Sequence, residues 1–246
     1  MIITKNISLV NLLKWSGGHI IWLLLFTGGV TFLYEAKIIK FEIPWLPVSV
    51  IGTAVAFYVG FKNNQAYDRM WEARKIWGGI VNDSRSWGMM VDGFIGNQFT
   101  EKEVDEKEIE TIKERLIYRH LGWMYAHRSQ LLVPTPWEHI SQKGLVGFAA
   151  KRYVSKYGVG MVDDEVSKAQ LKCFLPKDEY ERLIHNQNTA TQIINEQSRD
   201  LKALRKANLI DDFRHMNLTR LLKDFYTLQG KMKELKNSPY QDNMQT

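Results

Sequence analysis

The chain has 246 residues, of which 45% are hydrophobic, 12% aromatic and 24% charged, and its formal net charge is +6. This length suits one large domain or two small ones. Basic residues are mixed with acidic ones, as in the segment 101–115, and no basic stripe interleaved with aromatic residues occurs, so nucleic-acid binding is not expected. A single cysteine, Cys173, excludes an intramolecular disulfide.

Two apolar segments lie near the N-terminus. Residues 19–34 are apolar except for His19 and two threonines, and residues 43–61 hold no charge. Because about 20 mostly apolar residues are needed to cross a bilayer, we expect spans at about 19–36 and 44–61, joined by a short charged link into a transmembrane hairpin. A cleaved signal peptide for the first segment and a buried hairpin of a soluble protein are the alternatives.

The flanking charges indicate how these spans are oriented. Lys5 and Lys14 precede the first span. Four basic residues follow the second span: Lys62, Arg69, Arg74 and Lys75. Because Lys and Arg accumulate on the cytosolic side of membrane spans, we expect a multi-pass protein of the plasma membrane with a cytosolic N-terminus and a cytosolic C-terminal domain.

The second span carries two stripes of side chains. The first stripe consists of small residues that recur every four positions: Gly52, Ala56 and Gly60. Small residues at this spacing allow neighbouring helices to approach closely. A second stripe lies about 100° round the helix and comprises Thr53, Phe57 and Phe61. In a ring of identical helices the phenylalanines would face the axis as a hydrophobic constriction, which gates by dewetting; alternatively, they face lipid or partner helices.

The rest of the chain is predicted to be helical. No proline occurs between Pro47 and Pro134, so the second span should leave the membrane unbroken and continue to about Trp87. Apolar residues at helical spacing predict further helices at about 104–132, 139–156, 178–206 and 210–236. The sequence therefore predicts an all-α membrane protein with a transmembrane hairpin over 1–61 and a cytosolic helical domain over 62–246.

A motif follows the second span, where the chain reads GFKNNQAYDRMWEARKIWG from Gly60 to Gly78. It resembles the bestrophin signature, in which the pore helix ends in Gly-Phe, a basic residue and Asn, followed by Tyr, Arg, Glu-x-Arg and Trp-Gly. Weaker likeness extends from the N-terminus to about Pro239, where KNSPY looks like the family's Asn-Thr-Pro turn. The matching residues are Gly60, Phe61, Lys62, Asn63, Tyr67, Arg69, Glu72, Arg74, Trp77 and Gly78.

The resemblance implies roles for particular residues. Bestrophins are homopentameric ion channels whose second transmembrane helix lines a narrow apolar neck and leads into a cytosolic helical vestibule. By position, the neck falls on Thr53, Phe57 and Phe61, and Thr53 departs from the bulky apolar residues usual there, which implies a wider outer neck. Phe213, in the segment 208–213, corresponds to the cytosolic aperture. For helix packing and assembly we expect Gly52, Ala56, Gly60, Asn63, Tyr67, Arg69, Glu72, Arg74 and Trp77.

The expected function is an oligomeric ion channel. The resemblance implies chloride or another anion as the permeant ion, and selectivity for monovalent cations stays open because bacterial relatives can prefer cations. The expected partners are further copies of the chain, the lipid bilayer and permeant inorganic ions, with no cofactor and no metal. The alternative is a membrane-anchored helical interaction protein without transport activity.

The chain is not expected to be an enzyme. No His-Glu-x-x-His motif, paired cysteines, phosphate-binding glycine loop or nucleophile elbow occurs in it. His120 and His127 are seven residues apart, a spacing at which they share a helix face, and we expect interface histidines with satisfied hydrogen bonds.

Members of the bestrophin family continue past the proline turn into two further membrane-crossing helices. No apolar run of spanning length follows residue 61 in this chain. The expected later transmembrane pair is therefore absent, and the resemblance implies a truncated or frameshifted member, or a fragment.

Overall fold

A computed structural model describes residues 9–38, 45–100, 104–136, 138–141, 143–144, 147–152, 164–186 and 188–238. Within these ranges the regular structure is entirely helical, as predicted. Two single 3₁₀ turns occur at Asn97–Phe99 and His139–Ser141, and residues 147–152 are helical. The principal helices are α1 (Leu9–Glu35), α2 (Trp45–Phe94), α3 (Glu106–Leu132), α4 (Asp164–Phe174), α5 (Lys177–Ile184), α6 (Thr189–Lys206) and α7 (Asp212–Asn237).

The chain forms two compact units, Met1–Asn63 and Asn64–Thr246. In the first unit, α1 and the beginning of α2 are long and apolar enough to cross a membrane, and none of the residues in their most apolar stretches is buried. Apolar side chains that remain exposed over such a length need lipid or other protein around them.

The second unit is a helical bundle with its own core. Helix α3 packs against α4 and α6, and α6 packs against α7. The centre of the core is aromatic: Trp87, Trp123 and Phe225 are almost fully buried. The ring centroids of Trp123 and Phe225 lie 5.0 Å apart, and those of Trp87 and Phe225 lie 6.3 Å apart. Buried aromatic rings contribute large apolar areas, so this cluster joins α2, α3 and α7.

Capping residues fix where several of these helices begin. The carboxylate of Asp105 accepts a hydrogen bond from the backbone N–H of Lys107, and that of Asp211 accepts one from Arg214. The side chain of Asn188 likewise accepts from the backbone N–H of Thr191. Side-chain acceptors at this position satisfy the free N–H groups of a helix N-terminus. The starts of α3, α6 and α7 are therefore determined locally.

The helix boundaries differ from the predictions in three places. Helix α2 continues beyond Trp87 to Phe94. The single helix predicted over 178–206 is two helices, because α5 ends at Ile184 and the side chain of Asn188 caps the start of α6. The helix predicted over 139–156 is wrong for its first turn, since His139–Ser141 form a 3₁₀ turn, and of the remainder residues 147–152 are described as helical.

Some sequence-based predictions fall outside the described residues. The link between the two apolar segments is described only to residue 38, and the predicted proline turn is described only to Ser238. Helix α4 was not predicted from the sequence.

Candidate functional site

The candidate neck residues lie on one face of α2 in the first unit. Phe57 and Phe61 are 64% and 65% exposed in the single chain, and their rings stack with centroids 6.5 Å apart. The hydroxyl of Thr53 donates a hydrogen bond to the carbonyl oxygen of Ser49 at 2.9 Å. Since this bond satisfies the hydroxyl within the helix, the exposed surface of this face is predominantly apolar.

The small-residue stripe of α2 is open in the single chain. Gly52, Ala56 and Gly60 are all exposed. A methyl group built on either glycine would meet no atom within 4 Å. The glycines are therefore not required by packing within the chain, and their surface is free to receive another helix.

An exposed aromatic group follows the span, at the start of the second unit. The rings of Tyr67 and Trp71 stack with centroids 6.4 Å apart. The guanidinium of Arg74 lies 5.9 Å and the ammonium of Lys75 lies 5.8 Å from the Trp71 ring centroid. These are cation–π distances, so two of the motif residues, Tyr67 and Arg74, support Trp71 on the helix surface.

The motif residue Arg69 donates hydrogen bonds to the end of α7, a contact that could not be predicted from the sequence. Its guanidinium donates hydrogen bonds to the carbonyl oxygens of Leu235 and Ser238, at 2.6 and 2.7 Å. These carbonyls belong to the last turn of α7 and its C-cap, where a helix has free acceptors. Arg69 therefore joins α2 to the end of α7.

Most of the other motif residues are exposed. Asn63 and Glu72 lie on the surface, and Glu72 has no ion-pair partner in the described part of the chain. Trp77 is partly exposed, and its ring centroid lies 6.2 Å from that of His127. The exposed members of the motif are thus available to a second copy of the chain.

Phe213, the candidate aperture residue, lies in the first turn of α7 and is 74% exposed. The next residue fixes this turn, because the guanidinium of Arg214 donates to the carbonyl oxygen of Phe94 at 3.0 Å and to Gln98 at 2.7 Å. The same guanidinium lies 4.8 Å from the ring centroid of Phe99. Phe213 is therefore a projecting aromatic side chain on a firmly held turn.

The family of the chain follows from a comparison with sequence profiles of protein families. The sequence profile described as "Bacterial/Fungal Bestrophin protein" matches residues 15–240, a range that contains every candidate residue described above. The chain belongs to the bestrophin family. The family resemblance seen in the motif from Gly60 to Gly78 is thereby confirmed.

Solved structures share the bestrophin fold with this chain. A bacterial bestrophin homologue from Klebsiella pneumoniae superposes with a TM-score of 0.62, is 15% identical, and is matched over 88% of this chain and 65% of its own. A point mutant of the Klebsiella protein gives a TM-score of 0.60 at 16% identity, over 85% of this chain and 62% of its own. At these identities the likeness establishes the all-α bestrophin fold.

Curated relatives match over shorter segments. The voltage-dependent anion channel-forming protein RSc3414 of Ralstonia nicotianae is 48% identical over 54 residues, which is 18% of each chain. The voltage-dependent anion channel-forming protein YneE of Escherichia coli K12 is 39% identical over 67 residues, which is 23% of this chain and 22% of that protein. The matched segments thus span about a fifth of these relatives.

A buried ion-pair network in this bestrophin was not found from the sequence. Arg119 of α3 is 5% exposed and donates two hydrogen bonds of 2.8 Å to the carboxylate of Glu179 on α5. It donates a third, of 2.6 Å, to Asp200 on α6, which also accepts from Arg115 at 3.0 Å. Burial alone would lower the pKa of Arg119, but the bonds to Glu179 and Asp200 raise it above its usual value.

Two histidines of α3 lie in the aromatic core of the same unit. The ring of His127 stacks on Trp123 with centroids 5.7 Å apart, and His120 lies 4.6 Å from Phe225. His120 Nε2 is 2.9 Å from the hydroxyl of Ser84, which itself donates to the carbonyl of Ile80, so Nε2 is the donor. Burial lowers the pKa of each histidine to about 4.

The expectation of satisfied histidines is therefore correct for one of the two. His120 has its hydrogen bond, whereas neither ring nitrogen of the buried His127 has a hydrogen-bond partner among the described residues. An unpaired buried polar atom costs stability. No group of three or more potential metal ligands occurs in the described residues.

Proposed function

We propose that this chain is a subunit of an oligomeric ion channel in the plasma membrane, assembled as a homopentamer, and that it conducts anions. Family membership supports a channel, and the relatives named voltage-dependent anion channel-forming proteins support anions as the permeant ions. In this proposal the N-terminus and the second unit are cytosolic, since the basic residues flank those sides of the spans.

The observation that carries the proposal is the exposure of the Phe57–Phe61 pair. A stacked aromatic pair that is about two-thirds exposed in the single chain is stabilised when the same rings of other copies cover it around a common axis. The open glycine stripe beside it permits close approach of a second α2 helix. With the glycines against the neighbouring copy, the pair faces the axis, where Thr53, Phe57 and Phe61 form the neck.

The remaining motif residues have assembly roles in this arrangement. Arg69 holds α2 against the end of α7, and the exposed Asn63, Tyr67, Glu72, Arg74 and Trp77 contact the neighbouring subunits. At the other end of the vestibule, Phe213 forms a second aromatic constriction, held in place by Arg214.

Replacing either phenylalanine of the neck should change the ion flux. Phe57→Ala and Phe61→Ala each remove a ring from every subunit, so the apolar constriction widens and stays hydrated more of the time. We expect chloride efflux from proteoliposomes to rise about fivefold or more relative to the parent protein. Val59→Ala is the matched control, since its side chain is exposed and lies about 160° away from Phe57 on the same helix.

Oligomeric state is measured on the same preparations. Cross-linking in detergent should yield pentamers of the parent and of all three variants. Monomers that give no flux from the parent protein would contradict the proposal and favour a membrane tether for a helical interaction domain.

A further inference from the structure

Arg69 fastens α2 to α7 close to the end of the apolar span. Every residue of α2 up to Phe61 is exposed, and the first buried residue of this helix is Ile76. Arg69 is partly buried and lies eight residues after Phe61 and seven residues before Ile76. Its hydrogen bonds to the carbonyl oxygens of Leu235 and Ser238 are therefore made nearer to the candidate neck than any buried side chain of α2.

The two helices are not closely packed where Arg69 joins them. A cavity of about 580 Å³ lies between them, lined by α2 residues between Gln65 and Ile76 and by α7 residues between Lys231 and Ser238. Close contact begins further along α2, at Gly79, where an added methyl group would lie 3.2 Å from a terminal carbon of Leu228. The hydrogen bonds of Arg69 therefore connect the helices across a region that side-chain packing leaves open.

These hydrogen bonds are suited to fixing the direction of α2. The carbonyl oxygens of Leu235 and Ser238 lie at the C-terminus of a helix, which favours a cation. A guanidinium is a rigid planar group, and here its two terminal nitrogens each donate to a different carbonyl. Because two bonds from one rigid group restrict rotation as well as separation, Arg69 restrains both the position and the direction of α2 at this point.

We propose that Arg69 is a positioning residue of the neck, which sets the width of the constriction at Phe57 and Phe61 by restraining the direction of α2. The inference rests on the proposed function, since it places these phenylalanines around the ion path. Along the helix axis Phe61 lies about 12 Å from Arg69 but about 22 Å from Ile76. If Ile76 became the nearest restrained point, the same angular fluctuation of α2 would displace Phe61 nearly twice as far.

Chloride efflux from proteoliposomes tests this role in the full chain. Arg69→Met keeps a long side chain without a donor, so the constriction should fluctuate more, stay hydrated more of the time and conduct about threefold more than in the parent. Arg69→Lys keeps the charge and a donor, so its flux should lie closer to that of the parent. Arg85→Met is the matched control, because it removes an exposed arginine further along the same helix, and its flux should equal that of the parent.

A distance measurement within one chain separates this inference from the channel proposal. Nitroxide labels are placed on Phe61→Cys and on Lys233→Cys, an exposed position of α7, after Cys173→Ser has removed the native thiol. Labelled chains are diluted with unlabelled ones, so that double electron–electron resonance in detergent reports the distance within a single chain. The distance distribution should be about twice as wide with Arg69→Met as in the parent or with Arg85→Met.

The inference requires both effects of Arg69→Met. If the parent conducts and Arg69→Met leaves either the flux or the width of the distance distribution unchanged, the inference is overturned and the channel proposal stands. If the parent does not conduct, the channel proposal fails; a wider distribution with Arg69→Met then supports the restraint on α2, and an equal one overturns it.

Discussion

Acidification from pH 7.5 to pH 4 is expected to lower the free energy of unfolding of the second unit by about 3 kcal/mol for each of His120 and His127. Burial lowers both pKa values to about 4, whereas an exposed histidine of the unfolded chain titrates near 6.5. Well above pH 6.5 both the folded and the unfolded state are neutral at these positions, and the histidines do not change the stability. Between pH 6.5 and 4 the unfolded chain takes up protons that the folded chain does not, so stability falls.

A substitution at His127 tests this explanation. His127→Phe keeps an aromatic ring against Trp123 and removes the titrating group, so about half of the acid-induced loss should disappear. Because both ring nitrogens of His127 lack partners in the described residues, the same variant should be about 1 kcal/mol more stable than the parent at pH 7.5.

Urea titrations in detergent, followed by near-ultraviolet circular dichroism of the buried tryptophans, measure both effects. His185→Gln, at an exposed histidine that follows α5, is measured alongside as a substitution outside the core. If the free energy of unfolding of His127→Phe depended on pH as that of the parent does, His127 would not be a source of the acid-induced loss of stability.

Removing Arg119 is expected to destabilise the second unit by about 3–5 kcal/mol. Arg119→Met leaves the carboxylate of Glu179, itself 7% exposed, in the core without its two hydrogen bonds. An uncompensated buried charge is far more costly than the loss of a surface ion pair. The double variant Arg119→Met, Glu179→Met removes both charges and should recover most of the loss.

The control for this prediction is an exposed ion pair on α6. Arg199 lies 2.8 Å from Glu196, three residues away, and the Arg199 side chain is 64% exposed. Arg199→Met should cost less than about 1 kcal/mol. Equal losses for Arg119→Met and Arg199→Met in the same urea titration would show that the buried network does not stabilise the bundle as described.

Local signals predicted much of this fold. The two apolar segments, the unbroken α2 and the helices α3 and α7 follow from composition, proline placement and apolar periodicity, all of which depend on residues close in sequence. The motif from Gly60 to Gly78 identified the family for the same reason. The break at Asn188 was missed although the sequence signals it, because Asn186 and Thr189 are weak helix formers and Asn188 is a favoured N-cap residue, whose side chain accepts from the backbone N–H of Thr191.

Contacts between residues far apart in sequence could not be predicted from the sequence. Arg119 is separated from Glu179 by 60 residues and from Asp200 by 81, and no spacing rule connects them. The bond from Arg69 to the end of α7 joins residues more than 160 positions apart. In the candidate site, helical geometry placed Phe57 and Phe61 on one face, but their orientation towards an axis depends on other copies of the chain, which a single sequence does not specify.

The claim that Phe57 faces the ion path is tested most directly by chemical modification of single cysteines introduced on α2. Cys173 is exposed and is first replaced by Cys173→Ser. In that background Phe57→Cys and Val59→Cys are reconstituted and treated with a charged, water-soluble methanethiosulfonate while chloride flux is recorded. If Phe57 faces the ion path, treatment should change the flux of Phe57→Cys about tenfold and leave that of Val59→Cys unaltered. Equal responses at the two positions, or a labelled Phe57→Cys protein with unchanged flux, would contradict an ion path along Thr53, Phe57 and Phe61.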